Sequence, residues 1–253
     1  MLTSDRERLI TDDRLDALSA EIEAEDEHAR AMLVHPVNFF GHAAVASWRP
    51  GRGGLPLGAM LPDFSTMCRA RIAGTPDAEV ADGIALHHAT DKAFHNLPSV
   101  VGLMRELDER LERGGCARGP RRAVAHIGVE LLLDGVLLDT EDYRDAYILG
   151  LEYEAPITWR DEGDDLRFDA LLSRMRAHGV PLDLKRPESI THRMQRMLMH
   201  RPLLAPSPSD LSTITISLLE HKPRVEVAAD TVMRGVRAAL SPPADTRGGP
   251  SSP

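Results

Sequence analysis

The run from Ala125 to Leu138 is almost wholly apolar, yet it carries His126, Glu130 and Asp134 at intervals of four residues. An α-helix completes a turn in about 3.6 residues, so this spacing places the three side chains on one face. An ionised carboxylate in a protein interior is strongly destabilising unless it is paired or bound to a metal ion. The run therefore predicts a core helix whose polar face meets a cation.

Helical periodicity extends through most of the chain, and strand signals are nearly absent. Leu103, Leu107 and Leu111 recur at four-residue intervals, and no segment sustains an alternation of apolar and polar residues. Aromatic residues, which favour strands, make up only 4% of the chain. The fold class is therefore predicted to be all-α, with a single helical-bundle domain. Helices are predicted at residues 37–47, 57–71, 78–93, 100–113, 121–138, 141–153, 166–178, 188–199, 208–220 and 223–240.

The composition changes twice along the chain and divides it into three predicted parts. Residues 1–36 are an acidic extension, predicted to form an amphipathic helix because a thin stripe of apolar residues runs among many acids. Residues 37–240 contain the apolar helices and form the all-α domain. Residues 241–253 are rich in Pro, Gly and Ser and are predicted to be disordered.

The charge balance and the hydropathy argue against several classes of function. The chain has 30 Lys and Arg against 39 Asp and Glu, which argues against nonspecific binding to nucleic acid. No apolar run approaches the roughly 18–20 residues of a transmembrane helix, and the first residues are charged rather than signal-like. We expect a cytoplasmic protein without nucleic-acid or membrane partners, and the oligomeric state is left open.

Three other segments repeat the pattern of metal-type side chains on helices. Asn38 and His42 are four residues apart. His87 and Asp91 have the same spacing, and Asp63 lies in a mostly apolar run. Imidazoles and carboxylates are ligands for Mn, Fe, Mg and Zn ions, and helices that bring such groups together can surround an ion in a bundle core. A divalent metal ion of undetermined identity is therefore predicted as the cofactor. Candidate ligands are the polar residues of these three segments and those of the run from Ala125 to Leu138.

Each piece of this pattern also has a purely structural interpretation. A single histidine on an apolar helix face is more often a core or surface residue than a ligand, and Asp63, which follows Pro62, suits a helix cap. In a structural bundle without metal, the buried carboxylates would pair with Arg121, Arg122 or other basic residues. The recurrence of the pattern in four segments favours the metal site. The remaining histidines that are expected at the surface are His178, His192, His200 and His221.

Four motifs occur in order between residues 37 and 240. Asn38–His42 has the sequence Asn-Phe-Phe-Gly-His, and Gly58–Phe64 has the sequence Gly-Ala-Met-Leu-Pro-Asp-Phe. Gly83–Asp91, with the sequence Gly-Ile-Ala-Leu-His-His-Ala-Thr-Asp, is followed by Asn96–Pro98. The last motif, Glu130–Leu137, is Glu-Leu-Leu-Leu-Asp-Gly-Val-Leu. In this order the segments resemble the motifs of the acyl carrier protein phosphodiesterases, a divergent branch of the HD-type metal-dependent phosphohydrolases.

The resemblance implies an HD-type fold and a metal-dependent phosphodiesterase activity. The metal ligands that it implies are His42, Asp63, His87, Asp91 and Asp134. Members of this family release phosphopantetheine from the serine of an acyl carrier protein. The implied partner is therefore an acyl carrier protein or another phosphopantetheine or phosphoester substrate. The implied catalytic residues are Glu130 as general base or ligand orienter, Asp91 as ligand or orienter of an imidazole, and His126 as a replacement imidazole. The implied substrate-binding residues are Asn38, His88, Arg121 and Arg122.

The sequence departs from the family motifs at several positions. The Asn of the second motif is Ala59, and the Asp that opens the fourth motif is Glu130. An acid of the third motif is replaced at His95. The His of the fourth motif is Gly135, a loss for which His126 offers an imidazole on the same helix. These changes leave open a second interpretation, in which the chain is a degenerate family member that binds a carrier protein or another protein without catalysis.

The charge of the implied partner restricts which surface of the chain could bind it. An acyl carrier protein is acidic, so the surface that binds it should be basic. The net charge of -9 counts against such a partner, although the acidic residues 1–36 hold much of that charge. A local basic patch could still receive it. The residues of this patch are Arg105, Arg110, Arg113, Arg118, Arg121 and Arg122.

Overall fold

Nine α-helices dominate the computed structural model, which describes residues 39–241. This confirms the prediction of an all-α fold. The predicted N-terminal extension (1–36), Asn38 and nearly all of the predicted C-terminal tail lie outside the described residues. The α-helices are α1 (Phe39–Ala46), α2 (Gly54–Cys68), α3 (Ala78–His95), α4 (Pro98–Arg113), α5 (Arg118–Leu137), α6 (Glu141–Glu152), α7 (Asp164–His178), α8 (Pro187–Leu198) and α9 (Pro208–Leu240).

Local sequence signals set where several of these helices begin. At the start of α3, the N–H of Val80 donates to Asp77 Oδ1 at 3.1 Å. At the start of α9, Ser207 and Asp210 form a capping box in which the Ser207 N–H donates to Asp210 Oδ2 at 2.8 Å. Helices α4, α8 and α9 begin with proline, whose missing N–H leaves no hydrogen bond unmade at this position.

Helix α9 differs from the prediction because it is one continuous helix. Residues 208–220 and 223–240 were expected as two helices, yet α9 runs through Pro223. An interior proline costs about 3 kcal/mol, because it removes a hydrogen bond and crowds the preceding turn. Buried Leu218 and Val225 lie on either side of Pro223, so the burial of this long helical face offsets that cost.

Three short elements lack a sequence signal of their own. Strands β1 (Ile72–Gly74) and β2 (Thr158–Trp159) pair in antiparallel fashion and connect the loop after α2 to the loop after α6. A 3₁₀ helix, Leu182–Lys185, lies between α7 and α8. Segments this short show no periodicity, and the strands depend on a partner that is distant in sequence.

The core around the candidate site is built on α1 and α5. Phe39 and Phe40 of α1 are buried against Phe64 and Tyr147. The ring centroids of Phe39 and Phe64 are 5.5 Å apart, and those of Phe40 and Tyr147 are 5.6 Å apart. Helix α5 is buried along almost its whole length, which confirms the predicted core helix.

Two glycines allow α2 and α3 to pack in direct backbone contact. A Cβ atom on Gly58 would lie 2.2 Å from the carbonyl oxygen of Val80, and one on Gly83 would lie 2.4 Å from that of Leu55. Any larger residue at either position would force the two helices apart. The close contact brings the backbone of α2 next to the imidazole of His87.

His221 of α9 is fully buried, so the prediction that it lies at the surface is wrong. The reason is the continuity of α9. Because the helix does not end before Pro223, His221 belongs to its buried face rather than to an exposed helix end. The other three histidines of that group are exposed as predicted. They are His178, His192 and His200.

Two further observations concern the cysteines and the hydropathy of the helices. Neither Cys68 nor Cys116 forms a disulfide. Among the helices of residues 39–241, none combines the length and the hydropathy needed to cross a membrane.

Candidate metal centre

Four helices bring histidine and carboxylate side chains together in one polar cluster within the core. Helix α3 contributes three of them at four-residue spacing, and α5 contributes three more at the same spacing. Helical periodicity keeps each series on one face of its helix. Helices α1 and α2 contribute one residue each. The cluster consists of His42 (α1), Asp63 (α2), His87, Asp91 and His95 (α3), and His126, Glu130 and Asp134 (α5).

The first group in this cluster consists of His42, His87 and Asp91, whose ligand atoms lie close together. His42 Nε2 lies 3.2 Å from Asp91 Oδ1, and His87 Nε2 lies 3.3 Å from Asp91 Oδ2. The two imidazole rings stack with their centroids 4.0 Å apart. Both histidines are buried, whereas the Asp91 side chain is 26% exposed, so the group is accessible from the Asp91 side.

A backbone contact fixes the ring of His87. Its Nδ1 atom lies 2.9 Å from the carbonyl oxygen of Ala59. A carbonyl oxygen only accepts hydrogen bonds, so Nδ1 donates its proton to Ala59, and Nε2 is the nitrogen that faces Asp91. Metal-binding histidines are commonly oriented by a hydrogen bond of this kind. Ala59 therefore supports the site through its backbone, although its side chain departs from the family motif.

Asp63 and Asp134 add two buried carboxylates. Asp63 Oδ2 lies 3.9 Å from His42 Nε2, and Asp134 Oδ1 accepts a hydrogen bond of 2.9 Å from the N–H of Gly41. A Cβ atom on Gly41 would itself lie 2.9 Å from that oxygen, so a larger residue would displace the Asp134 carboxylate. The Oδ2 atom of each aspartate is buried and has no hydrogen-bond partner.

The second group consists of His95, His126 and Glu130. Glu130 Oε1 lies 3.1 Å from His126 Nε2 and 3.5 Å from His95 Nε2. The two rings are 4.7 Å apart between centroids. Glu130 is fully buried and neither of its oxygens has a hydrogen-bond partner, while both histidines are partly exposed.

Burial and close contacts set the protonation states of the first group. Burial lowers the pKa of His42 to about 4, against the opposing effect of Asp91, so this ring is neutral near pH 7. Burial alone would raise the pKa of Asp91, but its contacts with His42 and His87 outweigh burial and hold the pKa below its usual range. A neutral imidazole and an ionised carboxylate are the forms that bind metal ions.

The pKa values of Asp63 and Asp134 are shifted in the opposite direction. Burial raises the pKa of both carboxyl groups well above the usual value. The nearby charge of Glu130 raises both further. Without a cation, the cluster therefore favours protonated aspartic acids over a set of ionised carboxylates.

The residues of the cluster fit a bound cation. Within residues 39–241, no lysine or arginine forms an ion pair with its four carboxylates, whose ion-pair contacts are all with histidines. Both nitrogens of His42 and both oxygens of Glu130 are buried without a hydrogen-bond partner. Buried polar atoms are normally satisfied, so this concentration of unsatisfied atoms requires an explanation. Each group of three could hold a metal ion.

The cluster contains all five predicted metal ligands and all three predicted catalytic residues. The predicted substrate-binding residues are placed differently. Asn38 lies outside the described residues. His88 is exposed beside the cluster, with its ring centroid 5.2 Å from that of His87. His88 therefore lies where a substrate at the rim could contact it.

Arg121 and Arg122 are not partners of the cluster. Arg121 Nε lies 3.0 Å from Asp108 Oδ1, and its guanidinium also pairs with Glu112, so it connects α5 to α4. Arg122 is exposed and has interactions of its own. The structural interpretation, in which these arginines neutralise the buried carboxylates, is therefore not supported within residues 39–241.

His95 is the member of the cluster that the sequence analysis missed, because it was treated only as a departure from a motif. A signal for it was present. His87, Asp91 and His95 continue one four-residue series on α3, as three residues on α5 do. Two such series on facing helices place six metal-type side chains in one region.

Two further predictions concern single positions. Asp63 is not a helix cap, because α2 continues through Pro62 to Cys68 and leaves Asp63 well inside the helix.

At Gly135, a Cβ atom would lie 2.4 Å from the carbonyl oxygen of Leu184. No imidazole fits at position 135, because the 3₁₀ helix packs directly on α5 there.

Comparisons with known proteins do not identify a relative. No protein-family model, curated protein or solved structure matches this chain. The functional inference therefore depends on the geometry of the cluster.

Proposed function

We propose that this chain is a metal-dependent phosphohydrolase of the kind that the resemblance to acyl carrier protein phosphodiesterases implies. One observation carries the proposal. Four carboxylates and four imidazoles share a partly open core cluster, and within residues 39–241 no lysine or arginine pairs with the carboxylates. A phosphoester hydrolase needs a cation at its site, because the charge on the phosphoryl oxygens has to be neutralised.

His42, His87 and Asp91 would hold the ion, and Asp63 and Asp134 would complete its surroundings. This mixture of imidazoles and carboxylates suits Mn²⁺, Fe²⁺ or Zn²⁺ better than Mg²⁺, which prefers oxygen ligands and retains water. When bound, such an ion neutralises charge on the phosphoryl oxygens and makes water acidic enough to serve as a nucleophile near neutral pH.

Several residues of the cluster have the protonation state, orientation or exposure that metal binding and hydrolysis require. His42 offers a neutral ring, and the Ala59 carbonyl oxygen holds His87 with its Nε2 atom toward Asp91. Glu130, predicted as a general base or ligand orienter, and His126, predicted as a replacement imidazole, lie 3.1 Å apart where the His126 side chain is 26% exposed. A substrate can therefore approach from the side of the cluster where proton transfer is predicted.

Half of the arginines in the basic patch predicted for an acidic partner are paired with acids of the chain. Three of its arginines form ion pairs with acids of the same chain, and Arg118 and Arg122 also have interaction partners. A surface whose charges are paired internally attracts an acidic protein less strongly. The three ion pairs are Arg105–Glu109, Arg110–Glu220 and Arg121–Asp108.

A groove of about 660 Å³ along α7, the 3₁₀ helix and α8 suits an acidic partner better. Arg174, Arg186 and Arg196 line it and form no ion pair within the described chain. Of its two acids, Asp183 is paired with Arg193 at 2.9 Å. The groove is therefore the surface on which an acidic carrier protein would dock. Its second acid is Glu188.

The proposal is tested by hydrolysis assays on the full chain after removal of metal with a chelator. Mn²⁺, Zn²⁺ or Mg²⁺ is then added back with bis-p-nitrophenyl phosphate, p-nitrophenyl phosphate or holo-acyl carrier protein as substrate. We expect metal-restored turnover that the His87→Ala variant lacks. The control is His200→Ala, which removes an exposed histidine outside the cluster.

Two other results would lead to different conclusions. Metal binding without turnover of any of these substrates would favour the non-catalytic family member, and a carrier protein would then be sought as a binding partner. If the chain binds no metal and chelation does not change its thermal stability, the interpretation as a purely structural bundle is the one that remains.

A further inference from the structure

The second group, His95, His126 and Glu130, is arranged like a ligand set of its own. The Nε2 atoms of both histidines approach the same carboxylate oxygen, at 3.5 and 3.1 Å. One ligand atom from each of the three residues lies within 4.8 Å of the others. Two imidazoles and one carboxylate recur in protein sites for zinc and other transition metals.

A simple ion pair between His126 and Glu130 explains this group less well. In an ion pair, the His126 ring would donate an N–H to a Glu130 oxygen. Yet His126 Nε2 and both Glu130 oxygens are buried without a hydrogen-bond partner, although two of these atoms are 3.1 Å apart. An ion pair gains much of its strength from an aligned hydrogen bond. Atoms that approach without that alignment fit a shared cation.

The two groups are consecutive parts of one array. Helix α3 carries metal-type residues at 87, 91 and 95, and α5 carries them at 126, 130 and 134. Four residues advance about 6 Å along a helix, so the second group is displaced by one turn from the first. His95 of the second group lies one helical turn beyond Asp91 of the first group on α3 and faces Glu130 of α5 at 3.5 Å, so the two groups are neighbours.

We propose that His95, His126 and Glu130 bind a second divalent metal ion, so that the cluster is a two-metal centre. The existence of this second site does not depend on the proposed function, whereas its part in catalysis rests on it. Two-metal sites can stabilise both the attacking and the leaving oxygen in a displacement at phosphorus, which favours a phosphate ester as the substrate. His126 and Glu130 are then ligands, and for Glu130 this role replaces that of a general base.

The test counts the Mn²⁺ ions bound by the full, chelator-treated chain, through elemental analysis of dialysed protein and electron paramagnetic resonance. We expect two ions per wild-type chain and one ion in each of the His126→Ala and Glu130→Gln variants. The resonance spectrum should change from that of coupled ions to that of an isolated ion. His200→Ala should keep both ions. Circular dichroism establishes that each variant is folded.

The count separates this proposal from the proposed function. A single ion in the wild type, lost in His87→Ala but kept with unchanged affinity in His126→Ala, would overturn the second site and leave the proposed function standing. No binding of Mn²⁺ or Zn²⁺ by the wild type would overturn both. If His126→Ala does not fold, Glu130→Gln decides by the same count, because it preserves the shape of the side chain.

Discussion

Buried carboxylates near the starts of α7 and α9 are well supplied with hydrogen-bond donors. Asp164 accepts a hydrogen bond of 2.9 Å from the Arg71 N–H, and Asp210 accepts from the N–H groups of Ala117 at 3.0 Å and Ser207 at 2.8 Å. The hydrogen bond from Arg71 lowers the pKa of Asp164. Burial would raise the pKa of Asp210, but the hydrogen bonds from Ser207 and Ala117 outweigh burial and lower it. These carboxylates are satisfied within the chain.

Three of the four cluster carboxylates, Asp63, Glu130 and Asp134, are buried as deeply but are not satisfied in this way. Gly41 donates to Asp134, whereas Oδ2 of Asp63 and of Asp134 and both oxygens of Glu130 have no hydrogen-bond partner. The pKa values of both aspartates are correspondingly raised. The fold therefore supplies enough donors to the carboxylates in the first turns of α7 and α9 and too few to the buried carboxylates of the cluster. We infer that an ion from outside the chain completes the cluster.

Among the predicted changes, removal of a cluster ligand should have the largest effect, because it should abolish the metal binding that distinguishes the cluster from the satisfied carboxylates. His87→Ala deletes a buried imidazole that Ala59 holds in place, so we expect the affinity for Mn²⁺ to fall by about 100-fold or more. Isothermal titration calorimetry on metal-free protein measures this change. The His200→Ala control should bind like the wild type. An affinity within threefold of the wild type for His87→Ala would contradict the assignment of this ligand.

An Asp→Asn change at a satisfied carboxylate should destabilise the protein. Asp210→Asn leaves one acceptor oxygen where Ala117 and Ser207 now use two, so we expect a loss of about 1–3 kcal/mol in the free energy of unfolding. Urea denaturation measures the loss, which should be the same with and without Mn²⁺. An unchanged unfolding midpoint would show that the capping box does not depend on the carboxylate.

The same substitution in the cluster should have the opposite sign. Asp134→Asn keeps an oxygen for the Gly41 N–H but removes a buried acidic group whose pKa is raised by burial. We therefore expect the metal-free variant to melt about 2–4 °C higher than the wild type, which corresponds to about 1 kcal/mol. Differential scanning calorimetry with a chelator present measures the shift. A lower melting temperature would mean that Asp134 stabilises the metal-free fold as Asp210 does.

The fold could be predicted where structure follows from local periodicity. The apolar run in α5 identified a buried helix, because its pattern and its burial both arise from the same 14 residues, Ala125 to Leu138. The continuity of α9 could not be predicted in this way. The local cost of Pro223 is offset by packing along the whole helix, and that packing depends on residues far away in sequence.

The candidate site, too, could be predicted only where it follows from local sequence. The four-residue series on α3 and α5 were present in the sequence, and so were the ligand types. The orientation of His87 was not predictable, because it depends on the backbone of Ala59 and on the contact between Gly58 and Gly83. Nor did the sequence indicate that Arg121 pairs with acids of α4 rather than with the cluster.

The smallest expected effect is the pH dependence of metal binding, which distinguishes the aspartates from the imidazoles. The raised pKa values of Asp63 and Asp134 mean that the metal-free fold holds protons which the ion must displace. We therefore expect the affinity to rise about two- to fivefold per unit between about pH 6 and pH 8. His42, with its pKa lowered to about 4, is already neutral in this range and should contribute nothing.

Proton release is measured by calorimetry in buffers with different ionisation enthalpies, and Asp134→Asn should release fewer protons than the wild type. A carboxyl group whose pKa is raised on folding makes the fold less stable as pH increases, until the group is fully ionised. The melting-temperature advantage of metal-free Asp134→Asn should therefore grow with pH over the same range. If the advantage shrinks, or if the affinity is independent of pH, Asp134 is already ionised in the fold. The cluster would then resemble the satisfied carboxylates of α7 and α9.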